Sequence, residues 1–210
     1  FTGIKFTSLN GGSTAFMGLD SITAESITCF LGDVLVETAD GKKEVQDLVP
    51  GDSLVTADGG RTTVRWIGKQ PVNTMFSDPR KVNPILISAG SISEGIPSRN
   101  LVVSPDHAIA IEGVLYNASA LINGVTIGQL AHMPREGFVY YHIETDTHEL
   151  ILAEDCPTET FIDYAGRGGF ENANEAEGRT IPEIDLPRVS SARLVPDHIR
   201  ARLAADAVAA

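Results

Sequence analysis

The 210-residue chain reads as an all-β domain of short strands with a C-terminal arm and a short helix. Three observations predict this. Apolar runs are short. Turn signals such as Asn10-Gly11-Gly12, Asp40-Gly41, Pro50-Gly51 and Asp58-Gly59-Gly60 separate them at close intervals. No helical apolar period is sustained ahead of Pro196.

Residues 3–9 alternate, with Ile4, Phe6 and Leu9 apolar, and read as a strand ending at Asn10-Gly11-Gly12. Residues 13–28 are weakly patterned and read as an extended lead-in. From Cys29 the chain becomes strand and turn. Residues 34–38 form a strand, and Ala39-Asp40-Gly41-Lys42 signals a hairpin, because Asp-Gly accepts the positive φ of a tight turn. Pro50-Gly51 turns the chain into a strand over 53–57. Residues 62–68 alternate through Val64, Trp66 and Gly68, and 70–82 reads as a polar loop. Residues 82–87 return to strand, and 89–99 is a Gly/Ser/Pro-rich loop. Leu101-Val102-Val103 and Ala108-Ile109-Ala110-Ile111 are strands on either side of Ser104-Pro105-Asp106-His107. Residues 116–121 predict a short helix, 138–143 and 149–153 two more strands, and 158–161 the end of the body. Residues 164–180 read as a linker and 181–195 as an irregular, Pro-punctuated arm. Pro196-Asp197-His198 opens a helix whose narrow stripe, Ile199, Leu203 and Ala207, predicts light docking.

Composition narrows the function classes. Hydrophobic residues at 42% can fill a core. A net charge of −12, with no basic patch, argues against nucleic acid or an anionic membrane surface as a partner. No run of 18 apolar residues predicts a membrane-spanning helix, and residues 1–28 lack the basic start and apolar core of a signal peptide. The chain starts at Phe1 without Met, which suggests a piece of a longer protein. Two cysteines, Cys29 and Cys156, could form one disulfide but make no disulfide framework. The five histidines lack ligand spacing with other donors, so no metal and no cofactor is expected.

The chemistry concentrates in two stretches, Thr28-Cys29-Phe30-Leu31-Gly32-Asp33 and Val103-Ser104-Pro105-Asp106-His107. Cys29 stands where a polar run gives way to an apolar one. Its thiol could attack the Thr28 carbonyl, exchanging an amide for a thioester. The leaving group is then the nitrogen of Cys29 itself, and amines leave poorly unless protonated. His107, at a strand's start beside a turn, is the candidate acid. Pro105 pushes Ser104 toward an extended conformation, from which its hydroxyl could polarise the scissile carbonyl. The bland alternatives are an inert core thiol for Cys29 and a satisfied core histidine for His107. Cys156 is either a second, resolving thiol or a core residue. Asp106 reads as a turn or solvent residue, and His142, in an alternating strand, as solvent-facing. His132 and His198 carry no expected role.

These residues resemble the Hint domain shared by hedgehog autoprocessing domains and inteins. The first signature is residues 29–41, Cys-Phe-Leu-Gly-Asp-Val-Leu-Val-Glu-Thr-Ala-Asp-Gly, followed by residues 45–52. Residues 54–60 and 64–68 resemble the bacterial branch in particular. The second signature is Val102-Val103-Ser104-Pro105-Asp106-His107, matching a Thr-x-x-His element with Ser for Thr. Tyr141-His142-Ile143-Glu144, with His148 and residues 150–153, resembles a late strand pair of inteins.

The resemblance implies a pseudo-twofold, all-β horseshoe over residues 29–163. Residues 1–28 would then be the upstream segment, and 164–210 the linker, arm and helix. It implies self-cleavage at Thr28–Cys29 by an N-to-S acyl shift, with Cys29 as nucleophile, His107 and Ser104 assisting, Thr28 supplying the scissile carbonyl, and His148 a further site residue. The substrate would be the chain's own upstream polypeptide. The acyl acceptor, water or another nucleophile, is not specified, and the domain would act as a monomer. The branch suggests a secreted or cell-surface bacterial setting. The sequence departs from inteins at Asp155-Cys156-Pro157-Thr158-Glu159-Thr160, where no Asn stands to cut a downstream bond. Two rivals remain: a catalytically silent Hint scaffold, and a Cys-His hydrolase acting in trans through an open cleft.

Overall fold

The computed structural model describes residues 28–162 and 167–209, with side chains as far as Ala204. The expected strand over 3–9 and the lead-in up to residue 27 lie outside the described residues. In chain order the strands are β1 (Phe30–Leu31), β2 (Leu35–Thr38), β3 (Gly41–Glu44), β4 (Ser53–Val55), β5 (Arg61–Thr63), β6 (Trp66–Val72), β7 (Ile85–Ile87) and β8 (Leu101–Val103). They continue with β9 (Ala108–Ile111), β10 (Val114–Asn117), β11 (Ile127–Gln129), β12 (Phe138–Glu144), β13 (Leu150–Ala153), β14 (Cys156–Glu159) and β15 (Arg188–Val189). The helices are α1 (Pro79–Val82) and α2 (Asp197–Ala209), with short 3-10 turns elsewhere. None is long and apolar enough to cross a membrane.

Two sheets form an all-β body. One runs β11-β7-β8-β1-β12-β6; the other runs β15-β10-β9-β14-β13-β2-β4-β5, with β3 on β2. The β2–β3 hairpin closes where Asp40-Gly41 predicts it, with Thr38 opposite Gly41 and Gly41 at φ 108°. A side chain there would sit in a left-handed conformation that only glycine adopts readily. Strand β6 runs on to Val72, and α1 follows with Asp78 as its cap, where the sequence suggests only a polar loop. The helix expected near 116–121 is a 3-10 turn over Ala118–Leu121, and the residues before it form β10.

The C-terminal segment is the main departure from expectation. The stretch that reads as a linker docks on β6, the edge strand of its sheet: the Glu171 N–H donates to the Lys69 carbonyl at 2.8 Å, and the Asn172 amide donates to the Ile67 carbonyl at 2.9 Å. Such contacts cover a row of backbone groups that would otherwise invite a foreign strand. The arm contributes β15, which pairs in parallel with β10 at the edge of the other sheet. Helix α2 docks firmly, with Ile199 and Leu203 buried in the main core beside Val195. Its stripe is narrow, but each fully buried aliphatic side chain still contributes about 2 kcal/mol.

Candidate active site

Cys29 is set by its neighbours in the sheet. Phe30 pairs with Val103 on β8 and with Tyr141 on β12, so β1 is held from both sides. Ser104 continues the β8 pairing: its N–H donates to the Cys29 carbonyl at 2.9 Å, and its Oγ accepts from the Cys29 N–H at 2.9 Å. Both backbone groups of Cys29 are thereby fixed by one residue. The thiol enters a small cluster with Trp66, Tyr140, Phe161, Phe170 and Ile181, where it is fully buried. Burial there pushes its pKa well above the ordinary thiol value.

Among the described residues, one polar side chain is hydrogen-bonded to the sulfur. The Nδ1 of His142 lies 3.4 Å from Sγ. His142 follows Tyr141 on β12 and stands opposite Gly68 on β6. A Cβ at Gly68 would come within 2.5 Å of the Trp66 ring and 2.8 Å of Phe170, so the space is already taken by the wall of the site. The His142 ring packs edge-on to Phe161 at 4.5 Å and against Phe170 at 5.1 Å. Desolvation holds its pKa near 3, with the neighbouring His107 pressing the same way and a backbone hydrogen bond with Thr28 opposing.

His107 approaches from the other side of β1. Its ring packs on Phe30 with centroids 4.4 Å apart and is fully buried. Its pKa is lowered to about 4, first by burial; Glu159 and the Cys29 backbone oppose this, while Arg188 and His148 add to it. Both imidazoles are therefore neutral near pH 7.

Behind His107 lies an ionic group. The Glu159 side chain is fully buried, with one oxygen accepting from the Ala108 N–H at 2.6 Å and the Arg188 guanidinium closing on both oxygens. Burial alone would raise its pKa, but bonds from His148 and Arg188 hold it near 2. The His148 Nε2 stands 3.2 Å from Glu159, and its Nδ1 accepts from the Ile184 N–H at 2.9 Å. That second bond makes Nδ1 the acceptor and leaves the proton on Nε2, facing the carboxylate.

A thiol at the start of a sheet strand, gripped by the Ser104 of a Ser-x-x-His turn and flanked by two buried imidazoles, sits within the span that a family model recognises. The model described as the Hint domain matches residues 28–165. The chain belongs to the Hint domain family. Solved structures similar to this Hint domain include the gp41-1 intein, at 17% identity over 62% of this chain and 97% of that one, with a TM-score of 0.44. The bacterial intein-like domain from Clostridium thermocellum is similar at 11% identity, covering 63% and 98%, with a TM-score of 0.46. The DnaB intein from Synechocystis is similar at 11% identity, covering 64% and 99%, with a TM-score of 0.41. No curated protein matches the chain.

Within this Hint domain the residues singled out from sequence fall in three places. Thr28, Cys29, Ser104 and His107 converge. The Ser104 contact is with the nitrogen of Cys29, the group that would leave, where the sequence argument aimed it at the Thr28 carbonyl. His148 sits one carboxylate away from His107, held by Glu159. Cys156 belongs to the larger core, as a free thiol whose pKa burial raises to about 12. Cys29 is also free, so the optional disulfide is not formed. Asp106 accepts from the Asn117 amide at 3.3 Å.

Sequence reasoning missed His142, Glu159 and Arg188. His142 faces inward, contrary to the solvent-facing expectation, because β12 lies inside its sheet and is buried along Tyr140, His142, Ile143 and Glu144. Its shared face with Tyr140 was the available signal. Glu159 sits in a Thr-Glu-Thr run that looks like surface, and its counter-charge comes from the arm. Among the described residues no group of three or more His, Cys, Asp or Glu is arranged to hold a metal ion.

Proposed function

We propose that this Hint domain is an autoprocessing module that cleaves the Thr28–Cys29 bond by an N-to-S acyl shift. The observation that carries this reading is that both ends of the reaction have partners: His142 Nδ1 at 3.4 Å from the attacking sulfur and Ser104 Oγ at 2.9 Å from the departing nitrogen. Sγ bonds to the Thr28 carbonyl carbon and gives its proton to His142. His142 hands that proton on to the neighbouring His107, which delivers it to the Cys29 nitrogen beside Ser104; the C–N bond breaks, a thioester with a free amine remains, and both rings are neutral again. One proton has moved from sulfur to nitrogen and nothing else is consumed. Water or another nucleophile then takes the acyl group.

The electrostatics support slow chemistry. Charging His142, with its pKa near 3, at pH 7 costs about 5 kcal/mol. The two rings discourage charge on each other, so the pair carries a single proton during transfer.

The test is mass spectrometry of the purified chain with dithiothreitol or hydroxylamine. Release of residues 1–28, lost in Cys29→Ala, is the expected result. One intact mass under every condition would instead favour the silent scaffold, the reading that complete burial of Cys29 also suits. The trans-acting hydrolase fares worse, since its substrate would have to reach a thiol with no exposed surface.

A further inference from the structure

We propose that Arg188, in the arm beyond the family match, is a positioning residue that braces His107 through both residues flanking it. The inference rests on the acyl-shift reading for its consequence but on geometry for its content. Arg188 reaches the His107 turn by two routes. On one side its guanidinium closes on Glu159, and Glu159 accepts from the N–H of Ala108, the residue after His107, at 2.6 Å. On the other its Nη1 donates to the Asn117 side chain at 3.1 Å, and the Asn117 amide donates to Asp106, the residue before His107, at 3.3 Å. Its Nε is taken by Glu183 at 2.6 Å, within the arm itself. A planar guanidinium can serve three partners at once; an ammonium cannot hold that geometry.

The arm is also stitched to the sheet beside His107. Strand β15 pairs with β10, whose neighbour β9 begins directly after His107, and the Leu115 N–H donates to the Pro187 carbonyl at 2.8 Å. The Ile184 N–H, four residues before Arg188, fixes the His148 tautomer that faces Glu159. The arm therefore supplies one of the groups on that carboxylate, Arg188, and orients another, His148. The His107 ring is buried against Phe30, so its aim depends on that packing and on how the turn is held.

The groups facing His107 are Glu159, Arg188, His148 and His142, with Asp106 adjacent in the chain. Glu159 favours the charged ring and Arg188 opposes it. A brace that acts through this pair moves His107 in opposite directions when its members are removed. Structural damage alone would move it one way, toward the value of an exposed imidazole.

The experiment uses the full chain with histidine and arginine labelled for NMR titration, and cleavage by dithiothreitol followed alongside. Arg188→Met is expected to raise the His107 midpoint and to slow cleavage about tenfold or more, and Glu159→Gln to lower the midpoint. Arg188→Lys should return the midpoint toward wild type but leave cleavage slow, because charge is restored without the fork. Equal midpoints in wild type and Arg188→Met, or shifts of the same sign in Arg188→Met and Glu159→Gln, overturn the inference. If those variants fail to fold, the wild-type Arg188 Nε–H signal decides: an inflection at the His107 midpoint supports the brace, and a flat signal overturns it. If wild type never cleaves yet the opposed shifts appear, the brace stands and the acyl-shift reading falls. If wild type cleaves and Arg188→Met cleaves identically with its midpoint unmoved, the brace falls alone.

Discussion

Mild acid should destabilise this domain through its two buried imidazoles, and the size of the effect follows from their surroundings. His107 and His142 have folded pKa values near 4 and 3, against about 6.5 in the unfolded chain. A depressed histidine pKa means the unfolded state binds the proton more readily. The stabilisation is fully present above about pH 6.5 and is lost as pH falls toward the folded values. From pH 7 to 4 the two rings together remove about 6 kcal/mol, comparable to the whole stability of a small domain. Between pH 6 and 5, before most carboxylates titrate, the loss is about 2 kcal/mol. Urea unfolding should register this as a midpoint lower by about 1 M at pH 5 than at pH 6. His107→Gln, which cannot be protonated, should remove about half of the drop. A urea midpoint that does not move between pH 6 and 5, or a drop that survives intact in His107→Gln, would refute the argument that these rings are held neutral by burial.

Two further outcomes are expected. Phe170→Ala should cost about 3 to 5 kcal/mol by leaving a void against Trp66 and His142, with Trp66 fluorescence shifting to the red and the His142 midpoint rising as water reaches the ring; calorimetry and NMR titration check both. The cleavage rate should be nearly flat from pH 5 to 8, because a neutral thiol with a neutral imidazole contains the same number of protons as the ion pair that reacts; a rate climbing tenfold per unit across that range would mean instead that bulk hydroxide or a freely ionising thiol controls the step.

The parts of the fold legible in the sequence are those fixed by local chemistry. Asp40-Gly41 announces the β2–β3 hairpin because few residues accept its backbone angles, and Gly41 takes the positive φ. Cys29 and the Ser104–His107 turn are legible as a pair because their types are unusual at strand ends. Inward-facing His142 was hidden because the usual rule, apolar inward and polar outward, assumes one solvated face. Here Tyr140 and His142 point into the site while Ile143 enters the main core on the other face, so alternation no longer indexes exposure. Glu159 was hidden because its charge is balanced 29 residues later by Arg188. Residues 164–180 read as a linker by their average polarity, yet one of them, Phe170, lies in the wall of the site.

A fully buried thiol looks like an argument against nucleophilic chemistry, but burial acts on both partners of the proton exchange. It raises the cost of thiolate at Cys29 and of imidazolium at His107 and His142 alike, leaving the neutral set as the resting state. In the proposed acyl shift charge has to exist only while a proton travels from sulfur to nitrogen, and a permanent ion pair, Glu159–Arg188, stands behind His107. An ionised carboxylate there favours the cation on the nitrogen side of the bond, while the guanidinium tempers it. If the proposed cleavage occurs, its limit is the making of charge in a buried site, and the groups around His107 then matter as much as the ring itself.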